Sequence, residues 1–158
     1  MINHKQLGDF LLRQTREGIQ SAVIAFTFAI EKMDITELLT YFADDCEIEI
    51  LNVTLTGKDG AQKWLNWMFN HITKIKFEPI KTIIEGSSHF EEFVIKAKTK
   101  EGSTIKSKQA KVLTFENYKI KSLRLYFDRL DFVNAAAGDF FSKKIVERVS
   151  KKSLEGLE

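Results

Sequence analysis

Cysteine occurs once, at Cys46, so no disulfide can form within the chain and packing alone must hold the fold. Its neighbours Asp44, Asp45 and Glu47 disfavour a thiolate, which argues for a packing role over a nucleophilic one. Histidine is scarce, and His4, His71 and His89 have no ligand-like spacing to carboxylates or to Cys46, so no metal and no other cofactor is expected. A Gly-x-Ser-x-Gly nucleophile turn is missing. TGKDG, at 56–60, has glycines and a lysine but not the spacing of a phosphate-binding loop. Long apolar runs are missing too. The longest, near Val23–Ile30, is broken by Thr27 and far too short to span a bilayer, and MINHKQLGDF lacks the apolar core of a secretory signal. A cytoplasmic protein with no membrane partner is therefore expected. Excess charge of one sign is also lacking: 24 basic and 22 acidic side chains leave a net +2, too balanced for a dedicated polyanion binder.

What is present is ordinary globular composition, with 44% hydrophobic and 29% charged residues over 158 positions, which fits one domain spanning the whole chain. Ile19, Val23, Phe26, Ile30 and Met33 recur at helical steps of three and four. Asp34, with Glu37 three residues on, has the capping-box arrangement that starts a second, shorter helix. CEIEILNVTL reads as one strand, and the turn around Gly57 and Gly60 leads into a third helix carrying Ala61, Trp64, Leu65, Met68 and Ile72. Trp64 and Trp67 cannot both sit squarely on one helix face, so one is assigned to the core and the other either to a cavity mouth or to half exposure, the commoner case for tryptophan.

From Lys74 the pattern changes to alternating segments near 75–86, 90–100, 103–116 and 118–129, separated by short turn signals that favour antiparallel pairing. Pro79 lies early in this run. The order helix, helix, strand, helix, meander specifies an α+β fold with the helices on one face of a single bent sheet. Near the end, Phe141, Ile145 and Val149 mark a further helix from about Asp139, expected to dock on its own chain. Eight lysines lie between Lys96 and Lys121, against Glu101 and Glu116. With Phe115 and Tyr118 nearby they could engage nucleic acid, but lysines that keep a wide sheet soluble are the stronger reading, so no nucleic-acid partner is expected.

LRLYFDRLDF, at 123–132, has two distinct faces. Leu123, Leu125 and Phe127 form one, and Arg124, Tyr126 and Asp128 the other. The pattern by itself favours the apolar face inward, which would make Arg124 and Asp128 part of a solvated ion-pair surface.

FADDCEIEI (42–50), TGKDGAQKWL (56–65) and LRLYFD (123–128), taken in that order, resemble the nuclear transport factor 2-like superfamily, in its SnoaL-like and ketosteroid-isomerase-like branch. The resemblance covers roughly residues 19–132 and leaves 133–158 as a C-terminal helical extension. It implies a cone: a curved mixed or antiparallel sheet wrapped around N-terminal helices, a cystatin-like α+β roll, with an apolar cavity open at one end. It also implies a small hydrophobic ligand and a homodimer formed through the outer face of the sheet. For the last strand it implies the orientation opposite to the pattern, with Asp128 as catalytic acid or base inside the cavity and Arg124 and Tyr126 beside it. Burial would raise such a carboxyl's pKa and a guanidinium would lower it, although Arg124 and Asp128 are about 13 Å apart along the strand. Asn52 matches an asparagine that holds the nucleophilic water in epoxide-hydrolase relatives, or is simply an exposed strand end. Trp64 and Gln109 complete the expected substrate-binding set.

The departures count as well. Ile50 stands where a ketosteroid isomerase carries its proton-abstracting aspartate, FVIKAKTK has only lysines where limonene-epoxide-hydrolase-like chemistry wants Arg-x-Asp, and His89 falls at a turn rather than facing inward. Two functions remain open: an isomerase, cyclase, dehydratase or hydrolase using Asp128 on a hydrophobic substrate, or a non-catalytic ligand-binding or dimeric interaction module.

Overall fold

Helix α1 (Arg16–Lys32) starts where the Thr15 side chain, on an extended backbone, accepts the Gly18 N–H at 3.0 Å, satisfying a donor that the first helical turn leaves free. Its stripe Ile19, Val23, Phe26, Ile30 is buried as the spacing predicts. Asp34 caps α2 (Ile35–Leu39) by accepting the Glu37 N–H at 2.9 Å. The reciprocal half of the box is not made, because Glu37 Oε1 accepts instead from the Tyr41 hydroxyl at 3.2 Å. The computed structural model describes residues 14–136 and 140–157.

Strand β1 (Phe42–Ile50) follows, then β2 (Val53–Thr56), antiparallel to it. CEIEILNVTL is thus a hairpin and not one strand. Leu51 and Asn52 both take positive φ, 52° and 64°, the two-residue turn whose twist matches that of paired strands, with an asparagine where it is tolerated. Helix α3 (Gly57–Phe69) buries Ala61, Trp64, Leu65 and Phe69 and stops before Ile72, which opens β3 (Ile72–Glu85). Then come β4 (Ser88–Thr99), β5 (Thr104–Glu116) and β6 (Lys119–Phe127), joined by short turns into an antiparallel meander.

The six strands form one mixed sheet in the order β2-β1-β6-β5-β4-β3, and only β1 and β6 run parallel. Pro79 sits on the edge strand β3 beside a register shift, where a missing N–H breaks no central ladder. Two helices close the chain, α4 (Leu130–Ala136), absent from the sequence expectation, and α5 (Phe140–Ser153). Of the residues that mark α5 in the sequence, Ile145 and Val149 are exposed and the Phe141 side chain lies outside the described residues; the buried contact is their neighbour Val146. The helix still docks on its own chain.

One apolar core joins α1, α2 and α3 to the inner face of the sheet through Phe26, Leu38, Phe42, Ile48, Leu65, Leu113 and Leu123. Phe42 sits edge-on to both Phe26 and Trp64, at ring-centroid distances of 5.6 and 6.4 Å. Cys46 is buried and free, and burial pushes its thiol pKa up, in keeping with a packing role. No helix among the described residues is long and apolar enough to cross a membrane.

Leu65 has no exposed surface, so Leu65→Ala is expected to cost about 2–5 kcal/mol in urea unfolding. Val53→Ala on the exposed face of β2 should stay within about 0.5 kcal/mol of wild type. Equal costs would contradict the packing described.

Candidate functional site

Strands alternate, so the site is decided by which phase of β4, β5 and β6 turns toward the helices. The odd phase does. His89, Glu91, Phe93, Ile95 and Ala97 of β4 share the inner face with Ser107, Gln109, Lys111 and Leu113 of β5 and with Leu123, Leu125 and Phe127 of β6, in cross-strand rows such as Phe93, Gln109, Phe127 and Glu91, Lys111, Leu125. The helices cover only part of this face. Between them and the sheet lies a pocket of about 770 Å³, walled by Phe26 and Ile30 of α1, Trp64, Trp67 and Met68 of α3, Phe77, Phe93, Leu125 and Phe127 of the sheet, and Phe132 of α4.

Of the residues singled out from the sequence, Trp64 and Gln109 line this pocket. Trp64 is buried, and Trp67, also on the wall, is 48% exposed. Arg124, Tyr126, Asp128 and Asn52 do not line it, and all four are exposed. The inward orientation expected for Asp128, Arg124 and Tyr126 is therefore corrected: the pattern's own preference prevails over the resemblance. Turning the polar phase inward would put Leu123, Leu125 and Phe127 into water, a loss of roughly 1.5–3 kcal/mol for each fully buried side chain. Asp128 Oδ1 instead accepts the Leu130 N–H at 2.8 Å and holds the bend into α4. Asn52 is spent on the hairpin turn.

Apart from Gln109, the polar groups that face inward were missed by the sequence reading. Lys111 is 3% exposed; its Nζ stands 2.6 Å from Glu91 Oε2, 4.9 Å from the Phe93 ring centre and 5.4 Å from that of Phe77. The ammonium and carboxylate meet as a buried ion pair, and no other acceptor among the described residues reaches Nζ. Burial drives the Lys111 pKa down while Glu91 pulls it up, and burial wins. His89, expected at a turn, is buried in β4 with Nδ1 unpartnered; burial first and the Lys111 charge second push its pKa down, which keeps it neutral. Alternation carried the signal for all three, because Lys106 and Lys108 are even-numbered and outward whereas Lys111 shares the phase of Ile105, Leu113 and Phe115.

Gln109 is the deep-lying amide of the pocket wall. Its Nε2 donates to Ser107 Oγ at 3.3 Å, and Ser107 Oγ donates to Asp131 Oδ2 at 2.6 Å. This chain from α4 fixes the amide plane and leaves the carbonyl oxygen and one N–H of Gln109 to meet a ligand. Around the mouth stand the exposed side chains of His71, Glu101, Ser103, Arg129 and Lys143. Among the described residues no group of three or more His, Cys, Asp or Glu side chains could hold a metal.

Comparison with known proteins places this geometry in a wider set. The SnoaL-like domain family matches residues 23–123. No curated protein matches the chain. Among solved structures, an NTF2-like protein of unknown function from Burkholderia pseudomallei is similar at 18% identity and a TM-score of 0.67, over 74% of this chain and 95% of that one. An epoxide hydrolase/cyclase-like enzyme of pyran ring formation in the polyether salinomycin is similar at 15% identity and a TM-score of 0.65, over 73% and 94%. An LEH-like epoxide hydrolase of M. tuberculosis is similar at 18% identity and a TM-score of 0.63, over 73% and 86%. At these identities the likeness concerns the fold.

Removing one member of a buried ion pair strands the other. Glu91→Gln is expected to destabilise by about 3–5 kcal/mol, whereas the double change Glu91→Leu with Lys111→Met should recover most of that loss in denaturant unfolding. If Glu91→Gln were neutral, the pair would not be buried as described.

Proposed function

The chain belongs to the SnoaL-like domain family, and we propose that it acts through the pocket beneath its sheet, as the receptor of an apolar small molecule. The observation that carries this reading is the pocket itself: about 770 Å³ with a mainly aromatic and aliphatic wall, inside the range of about 300–1,000 Å³ that small-molecule sites occupy. A ligand there gains by leaving water, and Gln109, pre-oriented by Ser107 and Asp131, offers a polar anchor.

One observation favours a second reading, in which the bound molecule is isomerised, cyclised, dehydrated or hydrolysed. The buried Lys111–Glu91 pair, with its depressed ammonium pKa, has the character of an acid/base couple, and two of the similar folds belong to an epoxide hydrolase/cyclase-like enzyme and an epoxide hydrolase. In this reading the couple takes the role that the sequence assigned to Asp128. Because Lys111 Nζ is shielded and packs against Phe77 and Phe93, turnover requires these rings to move aside. Glu91→Gln should then abolish any turnover found in a substrate screen, while Asp128→Asn leaves it intact; the reverse result would restore Asp128.

The pocket is tested with the uncharged fluorophore N-phenyl-1-naphthylamine, whose emission rises in apolar surroundings and which Trp64 and Trp67 can excite by energy transfer. Saturable binding is expected, weakened at least about tenfold, or about 1.4 kcal/mol, by Leu125→Trp, which fills the wall. Binding that Leu125→Trp leaves unchanged would remove the pocket reading.

The outer face of the sheet supports a homodimer. Ile83, Phe90 and Val112 form a cross-strand row there, flanked by exposed Ile80 and Tyr126, an apolar patch of the kind that marks an interaction surface. Light scattering at high concentration should give twice the chain mass for wild type and a single chain mass for Phe90→Lys. A monomeric wild type would refute the dimer.

A further inference from the structure

The polar side chains of the pocket wall fall into two sets. Thr99, Gln109 and Lys111 are buried, whereas His71, Glu101, Ser103, Arg129 and Lys143 are exposed and ring the mouth. The ring is not electrically neutral. Arg129 and Lys143 are cations without an acidic partner among the described residues, and Glu101 is the one carboxylate that lines the pocket with them. Arg129 and Lys143 against Glu101 leave one positive charge in excess. Arg129 is also held in place: it lies in the bend between β6 and α4, and its Nη2 donates to the Leu51 carbonyl at 3.3 Å, in the β1–β2 turn. The guanidinium thus spans part of the mouth, with four of its five N–H donors left over.

From this division, and resting on the pocket reading above, we propose that the ligand is an amphiphilic monoanion: an extended apolar body that lies inside, ending in a carboxylate that Arg129 and Lys143 hold at the mouth. The interior accepts the body because its wall is aromatic and aliphatic. It refuses the carboxylate, since a second charge buried beside the existing Lys111–Glu91 pair would lose its hydration without gaining a free counter-ion. The head group therefore stays at the rim, where it remains partly hydrated and meets the unpaired cations. A planar carboxylate suits the forked donors of Arg129. A cationic head would meet the same excess charge with repulsion, and an uncharged one would gain nothing from it.

Exposed ion pairs contribute about 0.2–1 kcal/mol each, so two rim cations predict roughly a two- to thirty-fold preference for the anionic head. Displacement of N-phenyl-1-naphthylamine from the full chain at pH about 8 reads this preference directly. Dodecanoate should displace the fluorophore at correspondingly lower concentration than dodecanol, and dodecylammonium should be the weakest of the three. The double change Arg129→Gln with Lys143→Gln, both on exposed side chains, should bring dodecanoate level with dodecanol; added salt should weaken dodecanoate alone. Equal potency of the three head groups, or a dodecanoate advantage that survives the double change, overturns the amphiphile while the pocket stands. If the fluorophore itself does not bind, the pocket reading fails and takes the amphiphile with it.

Discussion

A sheet packed on one face buries one phase of its alternation, and here the burial of Leu113 against Leu123 in the two central strands decides which. Once that pair faces the helices, every second residue of β4 and β5, and of β6 from Leu123 onward, is committed to the same side; before Leu123 a register shift lets Ile120 face inward as well. Phe93, Gln109 and Phe127 come into one row, and Glu91, Lys111 and Leu125 into the next. Arg124, Tyr126 and Asp128 are sent outward by the same rule. The pocket follows from a mismatch of size, because α1, α2 and α3 do not cover the whole of a six-stranded face, and the uncovered part, walled further by α4, is left open to a ligand.

Much of this was legible in the sequence, for reasons that differ from residue to residue. The Asp34 cap and the α1 stripe from Ile19 to Ile30 are local matters of spacing and side-chain chemistry, and they stand in the structure as the spacing predicts. The order of helices and strands carried the family, and the SnoaL-like match over residues 23–123 agrees with it. The hairpin at Leu51 and Asn52 was hidden because a leucine is a poor left-handed residue, so the turn carries only the asparagine half of its usual signature. Helix α4 was hidden because it is short and borrows its start from Asp128, a residue read as catalytic.

The orientation of the last strand is the instructive failure. Alternation alone favoured Leu123, Leu125 and Phe127 inward, and the family resemblance argued the reverse by carrying a role onto Asp128 without its surroundings. A carboxylate's function depends on what it faces, and nothing in LRLYFD supplies that. The same alternation, applied to β5, would have separated Lys111 from Lys106 and Lys108 and pointed to the buried pair with Glu91. A cluster of like residues was read as one surface when its parity divided it into two.

The pocket depends on the phase of β6, and cysteine accessibility along that strand measures it most directly. In a Cys46→Ala background, single cysteines at positions 125, 126, 127 and 128 would be timed for reaction with a water-soluble maleimide, with and without the naphthylamine fluorophore. The described phase predicts fast, fluorophore-independent labelling at 126 and 128, and slow labelling at 125 and 127 that the fluorophore slows further. Fast labelling at 125 and 127 with protection at 126 and 128 would contradict it and return Asp128 to the interior.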